Sequence, residues 1–359
     1  MNIAQVCPRY KPFIGGIETH VEEISKRLVK RGWNIEVITG DPTWKLKRNE
    51  ILDGVKVTRF PSISISNSYH FILGAANYIN KRNYDLIHIH GYHALPSLQV
   101  ALLCKKRKLV FTPHYKGFSH SAIRSLLHKT YRPIGRKIFL KADMIICVSS
   151  YEKKKIINDF KIPENKICLI PNGIDQEKIK ENQTQIKPKA KKHKTILCVS
   201  RLESYKGIQY LIEALPKLPP NIHLKIIGTG PFKKKLLKLA KKLGVKDRVH
   251  FIHNLPRKEL LREYAAADLF VLLSKYEAYG LTVAEALASG TPCIAANTTA
   301  LKEWIDNKNC FGVEYPIDIE ELVNTINKVM GRKVGAIKLP SWDESVKKLI
   351  AIYETLSRQ

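Results

Sequence analysis

The sequence predicts an α/β protein of two doubly wound domains, each a parallel sheet covered by helices on both faces. Three observations predict it. Short apolar runs alternate with helix-period stripes along most of the chain. One long polar, lysine-rich stretch divides that alternation into two series. The chain has 359 residues and is 44% hydrophobic, enough for two separate cores.

In the first series the strand-like runs are Ile3 to Cys7, Ile35 to Thr39, Leu86 to Ile89, Leu109 to Thr112, Met144 to Val148 and Ile167 to Ile170. Between the first two, Ile17, Val21, Ile24 and Leu28 recur at helical spacing. The stretch from Asn172 to Lys194 then reads as a linker. The second series runs from strand Thr195 to Val199 through helix Gly207 to Leu215 and strand Leu224 to Ile227. Helix Phe232 to Leu243 follows, then strands Val249 to Ile252 and Leu269 to Leu273, helix Thr282 to Ala288 and strand Pro292 to Ala295. After the break at Leu339-Pro340-Ser341-Trp342, Val346, Leu349, Ile350 and Tyr353 mark a last helix. The expected domains are 1–171, a linker at 172–194, 195–340, and a terminal helix at 341–359. Two Rossmann-like domains facing each other across a cleft would bind ligands outside the carboxyl ends of their strands.

Composition excludes several classes. No run approaches the length of a membrane span, and the start lacks the basic flank and long apolar core of a signal peptide. A cytoplasmic protein is expected. Seven cysteines include no Cys-x-x-Cys pair, which predicts buried reduced thiols rather than a zinc or disulfide framework. With 61 Lys+Arg against 32 Asp+Glu the net charge is +29, which favours an anionic partner. The basic clusters lack interleaved aromatics, so nucleic acid is not expected. An anionic membrane surface, touched peripherally from the inner face, fits better.

The candidate chemistry lies at strand ends. Gly15-Gly16 precede the first helix, where bare backbone favours an anion, although a plain tight turn explains them equally well. Neither they nor Gly228-Thr229-Gly230 match the dinucleotide fingerprint, and no Walker motif is present. Arg201 and Lys206 follow a strand and precede a helix, a placement suited to clamping a diphosphate if they are more than two surface cations. Glu277 and Glu285 are eight residues apart, which along a helix would span about 12 Å. That exceeds the ~5–9.5 Å of glycosidase carboxylate pairs and suits two grips on one ligand. Glu285 alone could be an ordinary helix charge. His114 ends a strand, where it can exchange a hydrogen bond with a ligand. His88, His90, His93 and His114 have no matching carboxylate cluster, so no metal site is expected.

In order along the chain, Gly15-Gly16-Ile17-Glu18, Thr112-Pro113-His114, Ala142 to Ser149, Ile170-Pro171-Asn172-Gly173-Ile174-Asp175, Ser200-Arg201-Leu202 with Lys206-Gly207, Ile227 to Pro231, and Glu277 to Glu285 form a specific set. This set resembles the family-4 glycosyltransferases, retaining enzymes of the GT-B fold, over nearly the whole chain. The resemblance implies a nucleotide-sugar donor on the second domain and an acceptor on the first. It assigns the donor diphosphate to Arg201 and Lys206, the ribose to Glu285 and the transferred sugar to Glu277. Gly280, Leu281 and Thr282 are carried over as donor contacts, and Asn254-Leu255 as the place of the base. From the first domain, Gly15 and Gly16 would reach the diphosphate once the cleft closes, and His114 the sugar near its reacting carbon. No cofactor or metal is implied, because the two cations supply the charge and the leaving phosphate takes the proton. The terminal helix is expected to return to the first domain. One departure stands out: Thr299-Ala300 occupy the place of a family Gly-Gly turn, which puts the contact made there in doubt, while Glu303 keeps its position.

The function expected is retaining transfer of a hexose or N-acetylhexosamine from a UDP-, GDP- or ADP-sugar to an acceptor hydroxyl on a glycan, a lipid-linked or a phosphorylated molecule. A nucleotide-sugar epimerase of the same fold, or a nucleotide- or polyanion-binding module without turnover, are the alternatives.

Overall fold

The computed structural model describes the chain except residues 67–68, 105–106, 118–121, 185–192, 254, 336 and 359, together with the side chains of 64–66, 69–70, 122–130, 180 and 182–184. It divides into two units, Met1–Gly173 with Trp342–Gln359, and Ile174–Ser341.

The first unit opens with β1 (Asn2–Cys7), α1 (Gly16–Lys30) and β2 (Asn34–Asp41). An excursion follows through β3 (Asn49–Leu52), β4 (Val55–Ser66), β5 (Tyr69–Ile72) and α2 (Ala75–Asn80). Then come β6 (Leu86–His90), α3 (Leu95–Leu103), β7 (Lys108–Thr112), α4 (Ala122–Lys141), β8 (Met144–Cys147), α5 (Ser150–Phe160) and β9 (Ile167–Leu169). Among the described residues the sheet has nine strands in the order β3-β4-β2-β1-β6-β7-β8-β9, with β5 on β4. The strands are parallel except where β3 and β5 meet β4. β1 lies between β2 and β6, pairing Ile3 with both Ile35 and Leu86. The chain thus reverses direction across the sheet at the β1/β6 junction, where a ligand crevice forms in such sheets.

The second unit contains α6 (Gln176–Thr184), β10 (Lys194–Val199), α7 (Ile208–Ala214), β11 (Ile222–Ile227), α8 (Lys233–Lys242), β12 (Val249–Ile252) and α9 (Arg257–Ala266). It continues with β13 (Leu269–Leu272), α10 (Leu281–Ala288), β14 (Cys293–Ala296), β15 (Cys310–Val313) and α11 (Ile319–Val329). Among the described residues its six strands are all parallel in the order β12-β11-β10-β13-β14-β15, so its reversal lies between β10 and β13. Both units are α/β with nearly fully buried central strands, the burial that parallel sheets require.

Two stretches differ from the sequence reading. Helix α6 lies inside the polar stretch read as a linker. Its Ile179 is 1% exposed and joins the second unit's core, which fixes the helix there. Helix α4, which the two series of runs did not include, continues through Pro133 without a break. On this helix Arg132 and Arg136 donate to the carbonyls of Asp159 and Phe160 at the end of α5.

The terminal helix α12 (Trp342–Ser357) belongs to the first unit. Val346, Leu349, Tyr353 and Leu356 form its buried stripe. Asp343 in its first turn accepts from Arg31 at 2.6 Å and Arg27 at 3.3 Å, both on α1, and these guanidiniums hold its carboxyl below the usual range. Deeper, the Tyr353 hydroxyl accepts from Gln5 Nε2 at 3.1 Å and meets His88 Nδ1 at 2.5 Å. Among the described residues no helix is long and apolar enough to cross a membrane. Burial pushes the Cys7 and Cys198 thiols up to about 12, so neither behaves as a reactive thiolate.

Candidate active site

In the second unit the loop after β10 is locked to the loop after β11. Leu202 N–H donates to the Thr229 carbonyl at 2.8 Å, and Phe232 N–H donates to that of Leu202 at 3.0 Å. A Cβ at Gly228 would lie 2.0 Å from the Ser200 carbonyl oxygen, and Gly228 has φ +149°, so only glycine allows this approach. The lock fixes Arg201, whose Nη2 donates to the Tyr205 hydroxyl at 2.8 Å.

Lys206 and Glu277 come from the loops after β10 and β13, one on each side of the chain reversal, and form an ion pair. Both heads are largely buried, with side-chain exposures of 10% and 13%. Burial by itself would lower the Lys206 ammonium, but the Glu277 carboxylate outweighs it and raises the group. Glu277 is fixed in turn by its own N–H, which donates to Thr299 Oγ1 at 2.9 Å. Thr299 therefore supplies a side-chain contact that glycine could not. It does so from a left-handed conformation, φ +40°, that a β-branched residue rarely adopts.

Gly280, at φ +93°, turns the chain into α10, and a Cβ there would press on Leu301 at 2.9 Å. Gly280, having no side chain, leaves the amides of Leu281 and Thr282 at the helix start without an N-cap side-chain partner. Glu285 sits one turn further on, 3% exposed, with Arg257 Nη2 at 2.6 Å. Burial and this carboxylate together raise the phenol of the buried Tyr264. Leu255 is half-buried against the core of the unit, and Asn254 lies outside the described residues. Arg201, Lys206, Glu277 and Gly280 thus stand on loops or a helix start at the carboxyl ends of the strands, with Glu285 one turn into α10.

In the first unit Gly15 and Gly16 begin α1. Gly15 is extended, and its lack of a side chain makes room for Glu18, whose Oε2 would be 2.4 Å from a Cβ. Gly16 has no atom within 4 Å of that position and stands open. His114 follows β7 at φ +49°. Its turn is tied to β6 by the Gly91 N–H, which donates to the Thr112 carbonyl at 2.9 Å, and the Tyr92 N–H, which donates to that of Pro113 at 2.7 Å.

The residue that fixes this turn from the other side is Glu152, fully buried, which the sequence reading did not single out. Its two carboxylate oxygens accept the N–H groups of Tyr115 at 2.5 Å and Val148 at 2.7 Å. A signal for it exists: Ser149-x-x-Glu152 at the start of α5 is a capping-box pattern, and Ser149 Oγ does accept the Glu152 N–H at 3.1 Å. His20 was also missed. Its ring lies 5.0 Å from that of His114 and 5.4 Å from that of His90.

Burial pushes these imidazoles down, His20 to about 4 and His88, His90 and His114 well below their ordinary value. In the unfolded chain they titrate near 6.5. Between these limits the unfolded chain holds more protons than the folded one, so stability falls as pH drops below about 6.5 and levels off only beneath about 4. Each unit of depression is worth about 1.4 kcal/mol. The urea midpoint of the first unit should therefore decline steadily from pH 7 to 5; a flat profile would refute the neutral buried rings.

Comparisons with known proteins decide the family. A model described as Glycosyltransferase Family 4 matches residues 14–178, and one described as Glycosyl transferases group 1 matches 179–347. An uncharacterized glycosyltransferase of Methanocaldococcus jannaschii is 30% identical, covering 97% of each chain. The chain is a family-4 glycosyltransferase. The fold of this glycosyltransferase is GT-B. A sucrose-phosphate synthase from Thermosynechococcus elongatus superposes with a TM-score of 0.83 at 21% identity, over 99% of this chain and 98% of that one. Anabaena HepE, solved with UDP and glucose, gives 0.77 at 21% identity, over 99% of this chain and all of that one. The ordered motif set read from the sequence therefore named the family and the fold correctly.

Proposed function

We propose that this glycosyltransferase moves a hexose or N-acetylhexosamine from a nucleoside-diphosphate sugar to an acceptor hydroxyl with retention of anomeric configuration. The observation that carries the reading is the buried Lys206–Glu277 pair beside Arg201 at the chain reversal of the second unit. The bond between the anomeric carbon and the leaving phosphate oxygen breaks, and its electron pair stays on the phosphate. The acceptor oxygen bonds to the same face of the carbon and its proton passes to the leaving phosphate. Arg201 and Lys206 neutralise the charge that grows on the diphosphate, an interaction strongest in the transition state. They take the part a divalent cation would play, so turnover is metal-independent. Glu277, released from Lys206 in part, grips the sugar hydroxyls. Glu285, kept buried on α10, grips the ribose, and the uncapped α10 amides and Leu255 complete the donor contacts. From the first unit, His114 and the open Gly16 beside Gly15 take the roles the family assigns them. HepE was solved with UDP and glucose, which supports a nucleotide-sugar donor. The net charge of +29 supports a lipid-linked or phosphorylated acceptor and contact with an anionic surface.

A thermal-shift panel of UDP-, GDP- and ADP-sugars in chelator tests the donor. A sugar at 100 times its Kd should stabilise the fold by about 2.7 kcal/mol, and Glu285→Ala should abolish that shift. Product NMR then tests retention. A donor that binds without forming a new glycosidic bond would point instead to an epimerase or a binding module.

A further inference from the structure

Three imidazoles on three different elements of the first unit aim at a common point. His20 projects from α1, His90 ends β6, and His114 follows β7. One ring nitrogen from each lies within 4.8 Å of the other two. Their outer nitrogens explain the arrangement. His20 Nδ1 is 2.7 Å from Asn172 Oδ1, and His90 Nε2 is 2.7 Å from Gln5 Oε1. Gln5 presents oxygen to His90 because its own amide nitrogen donates to Tyr353. A carbonyl oxygen can only accept, so both outer nitrogens carry the proton. The inner nitrogens, His20 Nε2 and His90 Nδ1, are therefore bare lone pairs.

These two atoms and His114 Nε2 are shielded from solvent and have no hydrogen-bond partner among the described residues. His20 is 5% exposed and His90 not at all. A buried polar atom left unpaired is costly, and three of them on histidines whose ring nitrogens gather within 4.8 Å of one another are a rare arrangement that calls for a ligand. Imidazoles oriented by carbonyl oxygens on their far side are the usual outer-shell pattern of metal-binding histidines.

We infer that His20, His90 and His114 form a binding site for a divalent transition ion of the zinc class. Three neutral nitrogens suit Zn²⁺, Co²⁺, Ni²⁺ or Cu²⁺ and not Mg²⁺ or Ca²⁺, which require oxygen. Metal–nitrogen bonds of about 2.0–2.1 Å bring tetrahedral donors to roughly 3.4 Å from one another, so the rings draw together around the ion. With three protein donors the fourth position is left to water or a small anion. The site is inhibitory rather than catalytic. His114 cannot hold both an ion and the transferred sugar, a consequence that rests on the sugar contact proposed above, whereas the ion site itself does not.

The test is Co²⁺ titration of metal-stripped, full-length protein without donor, followed by the visible bands of four-coordinate cobalt and their bleaching by Zn²⁺. His223 and His250, 3.0 Å apart and exposed, are a competing surface chelate, so the titration uses a His223→Ala background. One ion per chain is expected. His20→Gln and His114→Asn should each weaken binding by about 100-fold or more, since even outer-shell losses cost 10–100-fold. Asn readily adopts the left-handed conformation of position 114, so that variant keeps the test valid if His20→Gln misfolds. Absence of the bands at millimolar cobalt, or unchanged affinity in His114→Asn, overturns the site. Zinc should then inhibit turnover and EDTA restore it. Stoichiometric binding without inhibition leaves the ion site standing and removes His114 from the sugar.

Discussion

Lys206→Met is expected to cost this enzyme more activity than any other single change in the second unit. In the proposed mechanism it removes the cation that faces the leaving diphosphate, and loss of one such preorganised group lowers kcat by about 10²–10³. It also strands Glu277. Removing one partner of a buried ion pair destabilises by about 3–5 kcal/mol because the survivor keeps its charge without compensation, and the residual exposure of both heads puts this pair at or below the lower end. Glu277→Gln should therefore restore stability in the Lys206→Met background without restoring kcat. Urea midpoints and single-turnover rates of both singles and the double complete the cycle. If the double is no more stable than Lys206→Met, the pair is not what holds these two loops together.

Glu152→Ala is the second large effect, and it falls on the other unit. The carboxylate is the acceptor for two buried N–H groups, Tyr115 and Val148, in the turns after β7 and β8. Each orphaned donor costs about 1–3 kcal/mol, so a loss near 4 kcal/mol is expected by urea unfolding. Glu152→Gln should fall between, since one amide oxygen cannot replace two carboxylate oxygens. With His114 in its proposed sugar contact, kcat of the folded fraction should drop, because the turn carrying it loosens. The donor-induced thermal shift of the second unit should persist. Loss of donor binding in this variant would show that Glu152 acts more widely than on its own turn.

Much of this architecture is legible in the residues. The strands flanking the second unit's chain reversal carry continuous apolar runs because both sheet faces are buried, and those of the first are interrupted only by the buried Gln5, His88 and His90. The loops after them are short, so Arg201, Lys206 and Glu277 can be placed at strand ends by counting. The β3–β5 excursion is not legible in the same way. Those strands are partly exposed, antiparallel and bulged near Ser64, and carry no helix between them to mark the period. Helix α6 escaped because Lys, Glu and Gln dominate it and one buried isoleucine secures it. The partners of long-range contacts are the least legible of all. Nothing local to His20 announces that it meets residues 70 and 94 positions later, because that proximity is made by sheet order. Glu152 lies between these extremes, since its capping-box spacing is visible while the turn it secures is not.

The terminal helix makes the first unit discontinuous, and this has a consequence for synthesis. A ribosome adding ~5–20 residues per second needs roughly 10–30 s to pass from Gly173 to Trp342. Through that interval the nascent first sheet lacks the helix that supplies Tyr353 to Gln5 and His88. The second unit is continuous and can mature while its predecessor waits. Folding along the nascent chain therefore finishes in the reverse of its order of emergence. A truncation at the carboxyl end wounds the amino-terminal half, and the period of waiting is when a chaperone or a protease would find it.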